Sequence, residues 1–120
     1  MESERSMGGA NYERELRNLL REKGWIVFRS AGSFVCDLIA LKPDTHILVE
    51  VKSLNGDTYR TSKDKEQFDL LNGYAKEGFN VYYYIRWKNR KPKWTYYKLP
   101  LEPYPVFRYE QSKGDIKCQV

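Results

Sequence analysis

Phe34-Val-Cys-Asp-Leu-Ile-Ala-Leu41 and His46-Ile-Leu-Val-Glu-Val-Lys52 are two apolar stretches separated by Lys42-Pro43-Asp44-Thr45. Both are rich in the β-branched and apolar residues that favour strands, and the residues between them have turn chemistry. The pattern predicts a β-hairpin. Side chains alternate faces along a strand, so Glu50 and Lys52 share one face while Ile47, Val49 and Val51 point the other way into a core. Asp37 sits among Val35, Cys36, Leu38 and Ile39. Apolar residues on both faces mark interior strands, where an ionised group is costly unless it is paired or metal-bound. A Glu-x-Lys pair by itself is ordinary on a solvated strand face. A salt bridge from Lys52 to one acid accounts for two of the three charges and leaves the other acid unpaired. An oxygen-bound divalent cation accounts for all three, and that grouping is how a hard metal and an activated water are held for phosphodiester hydrolysis.

Outward from the hairpin, residues 1–9 are polar with a Gly-Gly pair and read as an arm. Asn11 is placed to cap a helix over 12–23 that stops at Gly24. Tyr12, Leu16, Leu19 and Leu20 form its apolar stripe, and Arg14, Arg17 and Arg21 point away. Glu13 and Glu15 lie on opposite margins of the stripe, so spacing alone does not choose between them. A short strand over 25–29 leads into the small-residue turn Ser30-Ala-Gly-Ser33. Beyond the hairpin, 53–62 reads as a polar loop. A second helix follows over 63–77, with Phe68, Leu71, Tyr74 and Ala75 as its stripe and Gly78 as its stop. Residues 79–87 and 93–99 give two more strands. The order α-β-β-β-α-β-β predicts an α/β fold with a central mixed five-stranded sheet flanked by helices. The domain is expected over 10–99. The tail 100–120 opens with three prolines through Pro105 and cannot continue a helix or a central strand.

Ten Tyr, three Trp and five Phe could suggest base stacking. Alternation assigns most of them to packing instead. Val81, Tyr83 and Ile85 share one face, Tyr82 and Tyr84 the other, and Tyr96 and Tyr97 split the same way. Surplus aromatics would suit a dimer interface.

The length of 120 residues predicts one domain with a single modest core. A net charge of +5, from 21 Lys+Arg against 16 Asp+Glu, favours polyanionic partners. No apolar run approaches the roughly 18 residues of a membrane span, so no membrane partner is expected. The first ten residues lack the apolar middle of a secretory signal. Cys36 and Cys118 are far apart and His46 is the single histidine. Disulfide scaffolding, thiolate zinc sites and His clusters are therefore not expected, and any metal would be held through oxygen.

An acid in a leading helix, an Asp and then Glu-x-Lys together resemble the PD-(D/E)xK nuclease core. Tyr12-Glu-Arg-Glu-Leu16, Arg29-Ser-Ala-Gly-Ser33, Asp37-Leu-Ile-Ala40 and Glu50-Val-Lys52 more narrowly resemble the archaeal-type Holliday junction resolvases. The similarity runs from about Tyr12 to Trp87, and the Arg-Ser-Ala-Gly-Ser turn lies outside the general nuclease motif. Phe34-Val-Cys36, the aromatic segment from Tyr82 and the tail after Pro100 depart from the family pattern. The resemblance implies a restriction-endonuclease-like core and a Mg²⁺-dependent endodeoxyribonuclease (Mn²⁺ as substitute) that resolves four-way DNA junctions as an intracellular, nucleoid-associated homodimer. It implies that Asp37 and Glu50 bind the metal with the Val51 carbonyl, that Glu13 completes or flanks the acidic site, and that Lys52 positions or deprotonates the attacking water. Arg14 and Arg29 are then expected on phosphates beside the cut. Ser33, Arg60 and Lys63 are further expected DNA contacts, and Gln67 lies at the polar margin of the second helix. Two rival readings stand beside this one: the same core acting on other branched or duplex DNA, and a non-catalytic DNA-binding module.

Overall fold

Leu16 and Leu20 lie one helical turn apart and are fully buried, with Tyr12 and Leu19 packing at the margins of the same stripe. They belong to α1 (Gly9–Glu22), and burial of each leucine contributes roughly 2 kcal/mol. The computed structural model describes residues 9–30, 36–91 and 93–109. The helix begins ahead of Asn11, which therefore lies within its first turn and accepts a hydrogen bond from Arg14 Nη1 at 2.8 Å through Oδ1. It ends as expected at Gly24, whose φ of +97° lies in the region that favours glycine.

The strands in chain order are β1 (Ile26–Arg29), β2 (Leu38–Lys42), β3 (Thr45–Leu54), β4 (Thr58–Arg60), β5 (Val81–Trp87), β6 (Trp94–Lys98) and β7 (Val106–Arg108). Five of them form a mixed sheet in the order β1-β2-β3-β5-β6, with β3 and β5 parallel and the other pairs antiparallel. The hairpin pairs Leu38 with Val49, Ala40 with Ile47 and Lys42 with Thr45, so Pro43 and Asp44 alone make the turn. Helix α2 (Lys65–Lys76) covers the other face, preceded by a 3₁₀ turn over Thr61–Asp64. Asp64 caps α2, with Oδ1 accepting the Gln67 N–H at 3.3 Å.

The sheet's two faces carry two cores. Ile47, Val49 and Tyr84 pack with α1, while Phe68, Leu71 and Ala75 of α2 pack on Val81, Tyr83 and Ile85. The expected division of the tyrosines holds, with Tyr82 and Tyr96 on the α1 side and Tyr83 and Tyr97 on the α2 side.

Two segments depart from expectation. The expected loop over 53–62 continues β3, then forms β4, and β4 pairs antiparallel with β7 from the expected tail. Packing therefore does not end at residue 99. Asn72 of α2 is buried and exchanges two hydrogen bonds of 2.9 Å with the Leu101 backbone, and the Thr61 hydroxyl donates to the Pro105 carbonyl at 2.8 Å. Phe107 is buried among Tyr59, Tyr83 and Tyr97. Prolines exclude this run from the main sheet, but a three-residue ribbon needs few N–H donors. Among the described residues no helix is long and apolar enough to cross a membrane.

Candidate active site

Glu50 and Lys52 project from β3 on the α2 side of the sheet, because Ile47, Val49 and Val51 occupy the α1 side. The pair is close, with Lys52 Nζ 3.3 Å from Glu50 Oε2. Asp37 lies just before β2. Its backbone already joins the sheet, donating to the Val49 carbonyl and accepting from the Ser30 N–H, both at 2.9 Å. Its carboxylate reaches sideways, and Oδ2 accepts the Val51 N–H at 2.8 Å. The hairpin register thus brings Asp37 to the peptide between Glu50 and Val51.

Glu50 is 4% exposed. Burial pushes its carboxyl up to about 7, and the Asp37 charge adds to the rise. Lys52 and a hydrogen bond from Gln67 pull in the opposite direction. Glu50 Oε1 and Gln67 Oε1 are both buried without a hydrogen-bond partner. Burial works to lower the Lys52 pKa, but Glu50, Tyr59 and Asp37 together outweigh it and leave the ammonium raised. An orphaned buried carboxylate oxygen, with a second acid close enough to disfavour its ionisation, fits a divalent cation bound through oxygen.

The structure separates the two helix acids that spacing left equal. Glu15 faces away, taking Arg86 Nε at 3.3 Å and Trp94 Nε1 at 3.0 Å. Arg86 also lies 4.8 Å from the centre of the Tyr12 ring, so this cluster ties α1 to β5 and β6. Glu13 faces the site. Burial raises its pKa, the Asp37 charge raises it further, and Arg29 and Arg17 oppose the rise. Glu13 Oε1 is held by Arg29 Nε at 2.9 Å. Among the described residues, no three acidic, histidine or cysteine groups converge closely enough to ligate one metal. Of the expected donors, Glu13 is engaged by Arg29, and Asp37 Oδ2 by the Val51 N–H.

The expected DNA contacts are distributed differently. Arg29 is 62% exposed at the end of β1, next to Glu13. Arg14 is exposed on α1, and Arg60 and Lys63 are exposed at the end of β4 and in the 3₁₀ turn. Ser33 lies outside the described residues, as does Cys118; Cys36 is a buried free thiol, raised to about 11 by burial. Sequence reasoning missed two side chains. Arg17 stands four residues after Glu13, and that helical spacing could have exposed it. Tyr59 meets Lys52 only through the β4–β7 ribbon, which no local pattern announces.

The solved structure of Archaeoglobus fulgidus Hjc, described as a Holliday junction resolvase from an archaeal hyperthermophile, superposes with a TM-score of 0.65. The two share 23% identity over 87% of this chain and 84% of that one, which establishes the α/β fold. The crossover junction endodeoxyribonuclease Hjc of Methanocaldococcus jannaschii is 38% identical over 56 residues, 47% of this chain. That match spans 42% of the relative's own length. The model of the archaeal Holliday junction resolvase (Hjc) family matches residues 4–109, nearly all of the chain, and the chain belongs to that family.

Proposed function

We propose that the chain is a Mg²⁺-dependent endonuclease, with Mn²⁺ able to substitute, that cuts four-way DNA junctions inside the cell, in the cytoplasm at the nucleoid. The observation that carries this reading is the convergence of Asp37, Glu50 and Lys52 at one end of the hairpin, with a buried carboxylate oxygen left without a partner. Asp37 and Glu50 would hold the metal, with the Val51 carbonyl as a further oxygen ligand. A bound divalent cation lowers the pKa of a coordinated water and draws charge from the phosphate. The Lys52 ammonium supplies fixed positive charge where the phosphate becomes more negative, and positions the attacking water. Gln67 of α2, whose side chain lowers the Glu50 pKa, would help hold that carboxylate. Glu13 flanks the acids, and its ion pair with Arg29 presents an exposed guanidinium to the DNA backbone next to the cut. Arg14, Ser33, Arg60 and Lys63 extend the phosphate contacts.

A junction presents two equivalent strands, which a two-fold dimer matches with two equivalent sites. An apolar belt supports the homodimer. Ile26 and Phe28 on the edge strand β1 are 60% and 52% exposed. Ile26 lies opposite Leu41, which lies opposite His46. His46 meets the Phe79 ring edge-on at 5.6 Å, and Phe79 meets Tyr74 of α2 at 6.1 Å. The exposed part of this belt is on the order of a few hundred Å², a size of patch that often marks an interaction surface. It would supply much of the roughly 800 Å² per partner in a standard interface.

Cleavage of four-way, flap and linear DNA of the same sequence tests the substrate. Cutting confined to the four-way substrate is the expected result. Equal cutting of all three would move the assignment to a general duplex nuclease, and tight binding without cutting would move it to a binding module.

A further inference from the structure

Lys52 has a second neighbour besides Glu50. Its ammonium lies 5.8 Å from the centre of the Tyr59 ring, and its charge opposes the rise that burial gives the Tyr59 hydroxyl pKa. Tyr59 is the middle residue of β4 and pairs with Phe107 at the middle of β7. Its ring is stacked toward Phe107 and tilted against Tyr83, with centroids at 6.4 and 6.2 Å. Phe107 in turn stacks on Tyr97 at 4.1 Å with the planes only 10° apart. A hydrogen-bond chain fixes the same end of the ribbon: Trp87 Nε1 donates to Thr95, Thr95 to the Tyr97 hydroxyl, and Tyr97 to the Arg108 carbonyl. The C-terminal ribbon therefore holds the Tyr59 side chain against the lysine on the neighbouring sheet.

We propose that Tyr59 is a positioning residue for Lys52, set in place by β7, which anchors the ammonium independently of Glu50. Glu50 has two tasks that compete, since one carboxylate must serve both a metal and the lysine 3.3 Å away. Once a cation takes the charge of Glu50, the pull that holds Lys52 weakens. A long lysine stem then regains rotamer freedom and the ammonium is no longer preorganised. A hydroxyl fixed by stacked rings supplies the missing acceptor and does not itself bind the cation. The cutting part of this inference rests on the nuclease reading above; the placement of the ammonium does not.

Tyr59→Phe keeps the ring and its stacking and removes the hydroxyl alone. In a Glu50→Gln background, where the competing carboxylate charge is gone, the side-chain ¹H–¹⁵N signal of the Lys52 ammonium, assigned by its loss in Lys52→Arg, should be visible with Tyr59 in place and broadened away in Tyr59→Phe. Thermal midpoints should agree within about 2 °C. In single-turnover cutting of a four-way junction with Mg²⁺, Tyr59→Phe should be slowed about tenfold with junction Kd unchanged, because the interaction acts on the reacting state and not on binding. Tyr59→Trp, which keeps an aromatic wall and offers no acceptor, should be no faster than Tyr59→Phe. An undiminished Lys52 signal in Tyr59→Phe overturns the inference whether or not the protein cuts junctions. If wild type cuts, cutting by Tyr59→Phe at the wild-type rate overturns it as well. Loss of the Lys52 signal in Tyr59→Phe, where the wild-type protein cuts no DNA, would uphold the anchoring and count against the nuclease reading alone.

Discussion

The Asp37 carboxylate accepts the Val51 N–H at 2.8 Å, which fixes an acid from the start of one strand against the peptide following Glu50 on the next. Two carboxylates on one rigid hairpin cannot relax away from each other. The Glu50 carboxyl is raised, with burial the larger cause and the Asp37 charge the second. Such an arrangement suits the divalent cation of the proposed function, which would neutralise both charges.

Stability should follow from that carboxyl. Its pKa in the folded chain is raised to about 7 from an ordinary 4.5. The folded state therefore holds a proton that the unfolded state releases first. The associated stability is full below about pH 4.5 and is lost as pH rises through about 7. In EDTA, wild type should lose on the order of 1–3 kcal/mol between pH 4.5 and 8 relative to Glu50→Gln. Denaturant melts at both pH values measure this, and parallel profiles for the two proteins would contradict it. Added Mg²⁺ should stabilise wild type more than Glu50→Gln at pH 8.

Arg29 is largely exposed, so its ion pair with Glu13 should contribute only about 0–1 kcal/mol to folding. Arg29→Ala should leave the thermal midpoint nearly unchanged and weaken junction binding. The slope of log K against log salt should become shallower by about 0.9 if one phosphate contact is lost. An unchanged slope would remove Arg29 from the DNA surface.

Phe28 stands in the exposed belt on β1. In the proposed dimer a carboxylate there would be driven into the partner's apolar face, so Phe28→Glu should yield monomers by analytical ultracentrifugation at micromolar concentration while circular dichroism stays native. A dimer that survives Phe28→Glu together with Ile26→Glu must be built on another surface.

The run after residue 99 should behave as part of the folded unit. Phe107→Ala removes a buried ring that packs against Tyr59, Tyr83 and Tyr97. It should cost about 3–5 kcal/mol in chemical denaturation. A loss below about 1 kcal/mol would show that β7 is a detachable tail.

The five-stranded sheet was legible because each strand carries its own signal: alternation around Tyr82–Ile85, a Pro-Asp turn between β2 and β3, and glycines with positive φ where both helices stop. Alternation also placed Glu50 and Lys52 together on one face. The choice of Glu13 over Glu15 was not legible from spacing, since both flank the stripe and only their partners differ: Arg29 and Asp37 for one, Arg86 and Trp94 for the other. The ribbon of β4 and β7 was hidden for another reason. Each strand has three residues, and they pair across a long sequence separation, so no local pattern marks them. Tyr59 stayed hidden with it. The resemblance named a metal-ligand set, but the ion pair that engages Glu13 is a tertiary contact that no motif records.

The central claim is that Asp37, Glu50 and Lys52 form one metal-dependent cutting centre. Single-turnover cleavage of a four-way junction by wild type and by Glu50→Gln, with Mg²⁺ and with EDTA, tests it most directly, alongside junction binding by gel shift. The expected results are cutting by wild type with Mg²⁺, none with EDTA, a loss of at least about 10²-fold in Glu50→Gln, and junction affinity within a few-fold for both proteins. Cutting by Glu50→Gln at the wild-type rate, or undiminished cutting in EDTA, would contradict it.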